Sequence, residues 1–283
     1  MLLLLTVPVK MFTFRQFKID DTHCAMKVGT DGVLLGAWTD VTGVRRILDI
    51  GCGSGLIALM LAQRAAGARV DGVEIDADAA ADALANVEAS PFHDRVRIFC
   101  GDVLKMAEGS WPSPLPCGKS LFTGGLQPYL HEAPQYLCAP QQSSLDTQRT
   151  YDCIVANPPY HEEELLPPSR RRAAARHTAG GGLTFAALLQ AARQLLDADS
   201  PAARFCVILP ATAVARFIPA AAVYGFNLAR RTNVVTRPGK PCKRVLLDFR
   251  LQAPPPVTDE LVLVAPDGGR SAQYAELCRE FYL

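Results

Sequence analysis

The sequence predicts an α/β fold: a mostly parallel sheet with helices on both faces and an antiparallel strand pair near the C-terminus. Three observations carry this. Between Arg46 and Asp102, short apolar runs alternate with helical segments in the order β-α-β-α-β, which calls for right-handed crossovers and parallel strands. A glycine-rich turn, Gly51-Cys52-Gly53-Ser54-Gly55, joins the first of these strands to the first helix. Later, Phe226 to Arg237 and Lys243 to Leu251 read as two strands joined through Pro238-Gly239-Lys240-Pro241.

Taken in order, Phe12 to Ile19 alternates apolar and polar residues, as a half-buried strand does. Met26 to Gly36 sets three glycines around a short apolar segment, and reads as a loop able to approach a ligand. Arg46 to Ile50 is a strand, and a helix from Leu56 to about Ala66 ends at Gly67. Val70 to Ile75 is the next strand, followed by an alanine-rich helix from Ala77 to Ala89 that Ser90-Pro91 stops. Val96 to Phe99 is the third. From Ala107 to Thr150 six prolines break a Ser/Gly/Gln-rich stretch without a sustained period, so 107–150 reads as a flexible insertion. Beyond it, helical spacing begins at Thr184, Arg204 to Leu209 is a strand, Leu261 to Val264 is a short one, and a tail helix starts near Ser271. One domain over 11–283 is expected, with 1–10 as an extra N-terminal tail.

The totals narrow the function classes. A net charge of +1 excludes a polycation, so any affinity for nucleic acid must come from local clustering. Nine cysteines without a Cys-x-x-Cys pair predict reduced thiols, a cytoplasmic protein and no metal site. Met1 to Val7 is apolar but too short to span a membrane, and it lacks the basic flank and cleavage site of a signal peptide. No membrane association is expected, and a monomer is favoured.

The chemistry gathers on Tyr151-Asp152-Cys153-Ile154-Val155-Ala156-Asn157-Pro158-Pro159-Tyr160. Its first half is a buried strand. Its prolines hold Asn157 and Pro158 extended, so an amide side chain and nearby carbonyls project beyond the strand end. Asn157 and a loop carbonyl can then accept both hydrogens of a planar amino group while Tyr160 stacks on its plane. The plainer alternative is a strand ending in a proline turn with a packed tyrosine. Placing this fourth strand beside the first, on the side away from the second, sets Asn157 across from the glycine loop.

Asn157-Pro158-Pro159-Tyr160 after a hydrophobic strand resembles the signature of S-adenosylmethionine-dependent methyltransferases acting on exocyclic or amide nitrogens. Asp49-x-Gly51-x-Gly53-x-Gly55 fits their glycine loop, whereas a dinucleotide fingerprint would need glycine or alanine at Leu56. The resemblance implies a Rossmann-like class I methyltransferase with a seven-stranded sheet and S-adenosyl-L-methionine as cofactor. In that reading the loop cradles the methionine part and Asp49 lies near its ammonium. Glu74 accepts both ribose hydroxyls, Asp102 accepts from the adenine amino group, and Thr30 and Asn157 complete the cofactor-binding set. Asn157, Pro158 and Tyr160 form the catalytic set. His161, the nearest candidate base, reads as a surface-loop residue.

A narrower resemblance rests on Phe14-Arg15-Gln16-Phe17, the stretch from Ala25 to Trp38, the stretch from Ile47 to Arg64, and Ala175-Arg176-His177. Pro241-Cys242-Lys243-Arg244-Val245-Leu246-Leu247 and the terminal Phe281-Tyr282-Leu283 extend it. These blocks resemble bacterial tRNA1(Val) adenine-N6 methyltransferases, which modify the adenine 3′ of the anticodon, position 37. The 107–150 insertion and the first ten residues depart from that pattern. The insertion is expected to flank the acceptor pocket. A tRNA partner agrees with the charge distribution: Arg230, Arg231, Arg237, Lys240, Lys243, Arg244 and Arg250 face one acid, Asp248, between Asn227 and Arg250. Arg170, Arg171, Arg172, Arg176, Lys240, Lys243 and Arg244 are the expected nucleic-acid contacts. A protein-glutamine methyltransferase, another RNA or DNA amino-methyltransferase and a non-catalytic RNA-binding adaptor remain as alternatives.

Overall fold

A computed structural model of the chain describes residues 11–24, 26–115, 150–158, 183–253 and 255–282. The expected tail 1–10 and most of the expected insertion, 116–149, lie outside these. The parallel half of the sheet is built from β3 (Arg46–Ile50), β4 (Arg69–Glu74), β5 (Val96–Cys100), β6 (Cys153–Ala156) and β7 (Arg204–Pro210). β8 (Asn227–Val235) and β9 (Arg244–Arg250) form the antiparallel pair, and β10 (Val257–Val262) lies outermost. The order is β10-β8-β9-β7-β6-β3-β4-β5, so the fourth expected strand does lie beside the first, on the side away from the second.

The sheet has eight strands where seven were expected. The extra one is β10, which pairs in parallel with β8 and starts four residues before the expected Leu261. Phe12 to Ile19 also differs from expectation. Instead of one strand it forms a hairpin of β1 (Phe12–Thr13) and β2 (Lys18–Ile19), closed by Phe14 N–H donating to the Phe17 carbonyl at 2.9 Å. The turn brings the Phe14 and Phe17 rings together at 4.8 Å, which a continuous strand could not do at that spacing.

The glycine-rich segment read as a loop is largely a helix, α1 (Thr30–Trp38). Gly32 and Gly36 stand one turn apart on the face it lays against α2 (Leu56–Arg64). A Cβ at Gly36 would come within 2.8 Å of Met60 Sδ, and one at Gly32 within 3.1 Å of Leu56 Cδ2. The glycines therefore serve helix packing, which local composition cannot distinguish from a turn. The two helices run side by side in the same sense, so both N-termini open at one edge of the sheet.

α1, α2 and α3 (Ala77–Glu88) cover one face of the sheet. α4 (Val103–Ala107), α5 (Phe185–Leu195) and α6 (Ala211–Val223) cover the other. α6 has no counterpart among the expected elements. Pro219 interrupts its pattern, and the helix carries that proline on an exposed face where a missing backbone bond is solvated. α7 (Ala272–Leu277) ends the chain, capped by Ser271. Segments near both ends of the described residues then meet. Arg15 N–H donates to the Phe281 carbonyl at 2.9 Å, and Phe14 stacks on Tyr282 with centroids 6.1 Å apart.

The start of the expected insertion is packed. Pro114 pairs with Phe99, Leu115 N–H donates to the Ile98 carbonyl at 2.7 Å, and Trp111 stacks on Tyr151. At Leu115 the chain runs back along β5, away from its C-terminal end. It re-enters the described residues at Thr150, just before the N-terminal end of β6. Both described ends of the insertion therefore lead away from the strand C-termini, where the candidate site lies.

Candidate active site

The C-terminal ends of β5, β4, β3 and β6 lie in that order along one edge, and each delivers an expected site residue there. β3 delivers Asp49 and the glycine loop. Asp49 is fully buried, and its Oδ2 accepts from Ala58 N–H at 3.1 Å in the first turn of α2. Its Oδ1 is buried with no hydrogen-bond partner among the described residues. Burial pushes the Asp49 carboxyl up to about 7, against the Ala58 amide and with help from the negative Glu74.

The loop needs its glycines for conformation. Gly51, Gly53 and Gly55 have φ of 68°, 53° and 78°, in the left-handed region. Gly51 and Cys52 both donate to the Val73 carbonyl, which ties the loop to β4. A Cβ at Gly51 or Gly53 would meet nothing within 4 Å among the described residues, so the outer side of the loop is open. Gly55 caps α2 at the positive end of its dipole.

β4 delivers Glu74, which three amides hold at the mouth of the loop. Its Oε2 accepts from Gly53 N–H at 2.9 Å, while Oε1 accepts from Ile75 and Asp76 N–H at 2.9 and 3.0 Å. β5 leads to Asp102, whose Oδ1 caps α4 by accepting from Leu104 N–H at 2.9 Å. Between these carboxylates Ile75 is 70% exposed, an apolar surface suited to a planar ring. Sequence reading took Ile75 only as the end of a strand.

β6 delivers Asn157. Ile50 pairs with Ala156, so Gly51 and Asn157 follow side by side on adjacent parallel strands. Pro158 behind it is buried. Pro159 and Tyr160 lie outside the described residues, as do Arg170, Arg171, Arg172 and Arg176. Thr30 is exposed at the start of α1, and two residues further a Cβ at Gly32 would meet Leu56 at the start of α2. Thr30 thus opens at the same edge as the glycine loop.

Sequence reading also missed how residues 20–28 are fastened beside the loop. Asn86, buried on α3, donates to the Ser54 and Asp20 carbonyls at 2.9 and 2.7 Å, and its Oδ1 accepts from Asp20 N–H. Asp82, one turn earlier, accepts from His23 N–H and pairs with the His23 ring. Asp82 and its neighbouring acids draw the His23 imidazole above its ordinary value. Two polar residues at helical spacing on the buried side of an alanine-rich helix were the available signal.

The expected basic cluster is less charged than its composition. Arg230 pairs with Asp259 at 2.9 Å, Arg244 with Asp31 at 2.7 Å, and Arg250 with Asp248 at 3.3 Å. Two of those acids lie outside the counted segment. Arg237, Lys240 and Lys243 are exposed in the β8–β9 connection. β8 runs parallel to β7, so this connection lies on the same edge as the glycine loop and Asn157. Among the described residues no cluster of three metal-ligating side chains occurs, all seven cysteines are free, and no helix is long and apolar enough to cross a membrane.

Known proteins resemble this chain over most of its length. The family model for a methyltransferase domain matches residues 47–111, from β3 through Trp111. A predicted O-methyltransferase from Agrobacterium tumefaciens superposes with a TM-score of 0.57 over 89% of this chain and 96% of its own, at 18% identity, which carries the fold alone. The tRNA1(Val) (adenine(37)-N6)-methyltransferase of Erwinia tasmaniensis is 40% identical over 96% of this chain and 94% of its own. Its counterpart in Phocaeicola vulgatus is 39% identical over 98% of this chain and 99% of its own. Likeness of that extent, over nearly the whole of both chains, shows that the chain belongs to the tRNA1(Val) (adenine(37)-N6)-methyltransferase family.

Proposed function

We propose that this enzyme methylates N6 of the adenine at position 37 of tRNA1(Val), using S-adenosyl-L-methionine. The observation that carries the reading is Asn157 beside Gly51, in a chain similar over nearly its whole length to relatives that bear this activity's name. The site fits the cofactor: Asp49 Oδ1 is a buried acceptor without a partner, and the glycine loop is open above Gly51 and Gly53. Thr30, Asp49, Gly51, Gly53, Gly55, Glu74, Asp102 and Asn157 would hold it. When bound, S-adenosyl-L-methionine supplies an electrophilic methyl group.

The protein's own part is to hold and polarise the acceptor. The adenine amino group donates to Asn157 and to the Pro158 carbonyl, which favours a pyramidal nitrogen with a localised lone pair. Those bonds strengthen as positive charge builds on nitrogen, so they stabilise the transition state over the ground state. Tyr160 stacks on the ring, which must be turned out of its stack to be reached. Phosphates are held by Arg170, Arg171, Arg172, Arg176, Lys240, Lys243 and Arg244. Residues 11–283 act as one catalytic domain in a cytoplasmic monomer, a setting that the free cysteines support. The test is methylation of tRNA1(Val) transcripts carrying adenine or guanine at position 37. N6-methyladenosine should form only on the first, and equal labelling of both would defeat the reading.

A further inference from the structure

Asp31 is an acid where an RNA-binding edge should avoid one. It lies in the first turn of α1, and its Oδ2 accepts from Arg244 Nε at 2.7 Å. Arg244 begins β9, pairs with Pro210 at the C-terminal end of β7, and follows the exposed Lys243. β7 lies between β9 and β6, so Arg244 starts two strands from the strand that delivers Asn157, at the same edge of the sheet.

The pair is not needed to secure α1. Gly32 and Gly36 already seat that helix on α2 without room for a Cβ. At its other end Trp38 Nε1 donates to Thr232 Oγ1 at 2.8 Å, and the Arg230 guanidinium lies 4.7 Å from the Trp38 ring centroid. A helix fixed at both ends by packing makes a rigid mount. The mobile partner of the pair is the arginine, a long side chain with several rotamers that loses freedom when it is held.

We propose that Asp31 is a positioning residue: mounted on α1, it holds the Arg244 guanidinium in the orientation that receives an RNA phosphate beside the everted adenine. The inference rests on the proposed RNA substrate and deepens it. A preoriented guanidinium binds phosphate with less entropic cost than a free one, and the helix fixes it relative to the glycine loop. An acid that merely sat near the RNA would act in the opposite direction, by repelling phosphate.

That opposition makes the test. Steady-state methylation of tRNA1(Val) transcript is measured for wild type, Asp31→Asn, Asp31→Glu, Arg244→Gln and the swap Asp31→Arg/Arg244→Asp. Cofactor affinity by calorimetry and Tm are measured alongside. Arg244→Gln should raise KM for tRNA on the order of tenfold and lower the salt dependence of binding by about one phosphate contact. Asp31→Asn should raise KM in the same direction, with kcat at saturation and cofactor affinity unchanged and Tm within about 3 °C of wild type. Asp31→Glu should recover part of the loss. The swap should restore Tm but not KM. An Asp31→Asn enzyme that binds tRNA as well as or better than wild type, or a swap that restores KM, overturns the positioning role. An Arg244→Gln enzyme with unchanged KM overturns the phosphate contact itself. Wild-type enzyme that leaves this tRNA unmethylated instead refutes the substrate assignment, which separates the two failures.

Discussion

Gly51 and Asn157 lie abreast at the ends of adjacent parallel strands, one residue beyond the paired Ile50 and Ala156. The loop proposed to take the cofactor and the amide proposed to take the acceptor are therefore joined by a shared hydrogen-bonded ladder. Such rigidity fixes the approach of two reactants, from which alignment draws much of its rate effect.

Asn157→Ala follows directly. Turnover should fall by roughly 10²-fold or more, as when one donor or acceptor aimed at a transition state is removed. Cofactor affinity by calorimetry should fall far less than turnover, because seven other residues of the proposed cofactor set are untouched. A folded variant with near-normal turnover would take Asn157 out of the mechanism.

Glu74 calls for a conservative change, because it also accepts from Gly53, Ile75 and Asp76 amides. Alanine would loosen the loop as well as remove the ligand contact. Glu74→Gln keeps the size and loses the charge, and its amide can keep the Ile75 and Asp76 bonds through the oxygen while giving up only the one from Gly53. Its cofactor affinity should drop by about 1–3 kcal/mol, the range for hydrogen bonds to a charged acceptor. Calorimetric affinity equal to wild type would exclude Glu74 from the site.

Asp49 gives a pH signature. Its carboxyl titrates near 7 in the ligand-free fold against an ordinary value of 3.8, chiefly through burial. The folded state therefore holds the proton more tightly than the unfolded chain. The group's contribution is most favourable at low pH, and stability is lost as pH rises from about 3.8 to about 7. Between pH 5 and 7 the loss should be roughly 2–3 kcal/mol relative to Asp49→Asn. Denaturant titrations of both proteins across that range check it, and parallel curves would mean that Asp49 is ionised throughout. Ligands whose positive charge meets this carboxylate should bind with release of a proton below pH 7.

Gly36→Ala tests the helix that composition concealed. The added methyl would press on Met60 Sδ at 2.8 Å and on Met60 Cβ at 2.9 Å, and the second of these cannot swing away. Overpacking of this kind should cost about 1–3 kcal/mol in denaturant midpoint at unchanged slope. A variant as stable as wild type would show that α1 and α2 can separate.

The parts of the site legible in sequence were those encoded within a few residues. A strand, a left-handed glycine turn and a helix start sit next to one another at 46–56, and Asn157-Pro158 follows its own strand. Placing β6 beside β3 then needed only the topology of parallel sheets. What stayed hidden depends on distant partners. Asp31 and Arg244 are 213 positions apart, so no local count could reveal that the acid had claimed the arginine. Arg230 likewise meets Asp259 only because β10 joins the sheet beside β8. Gly32 and Gly36 look like loop residues until Leu56 and Met60 are opposite them. β10 and α6 were missed or misplaced because an alternating polar edge strand and a proline-bearing helix both dilute the period that reveals an element.

The contact between residues 14–15 and 281–282 bears on the order in which the fold can assemble. On the ribosome the hairpin of Phe14 and Phe17 emerges long before the Phe281 carbonyl and Tyr282 ring that cover it. The parallel strands β3, β4 and β5 can assemble early, as N-terminal segments do during synthesis, while the aromatic face of the hairpin stays wet. Closing that gap spans nearly the whole sequence and carries the largest loop entropy in the fold. That seam cannot close while the nascent chain is held short of Phe281, so the hairpin's aromatic face stays unsealed until then.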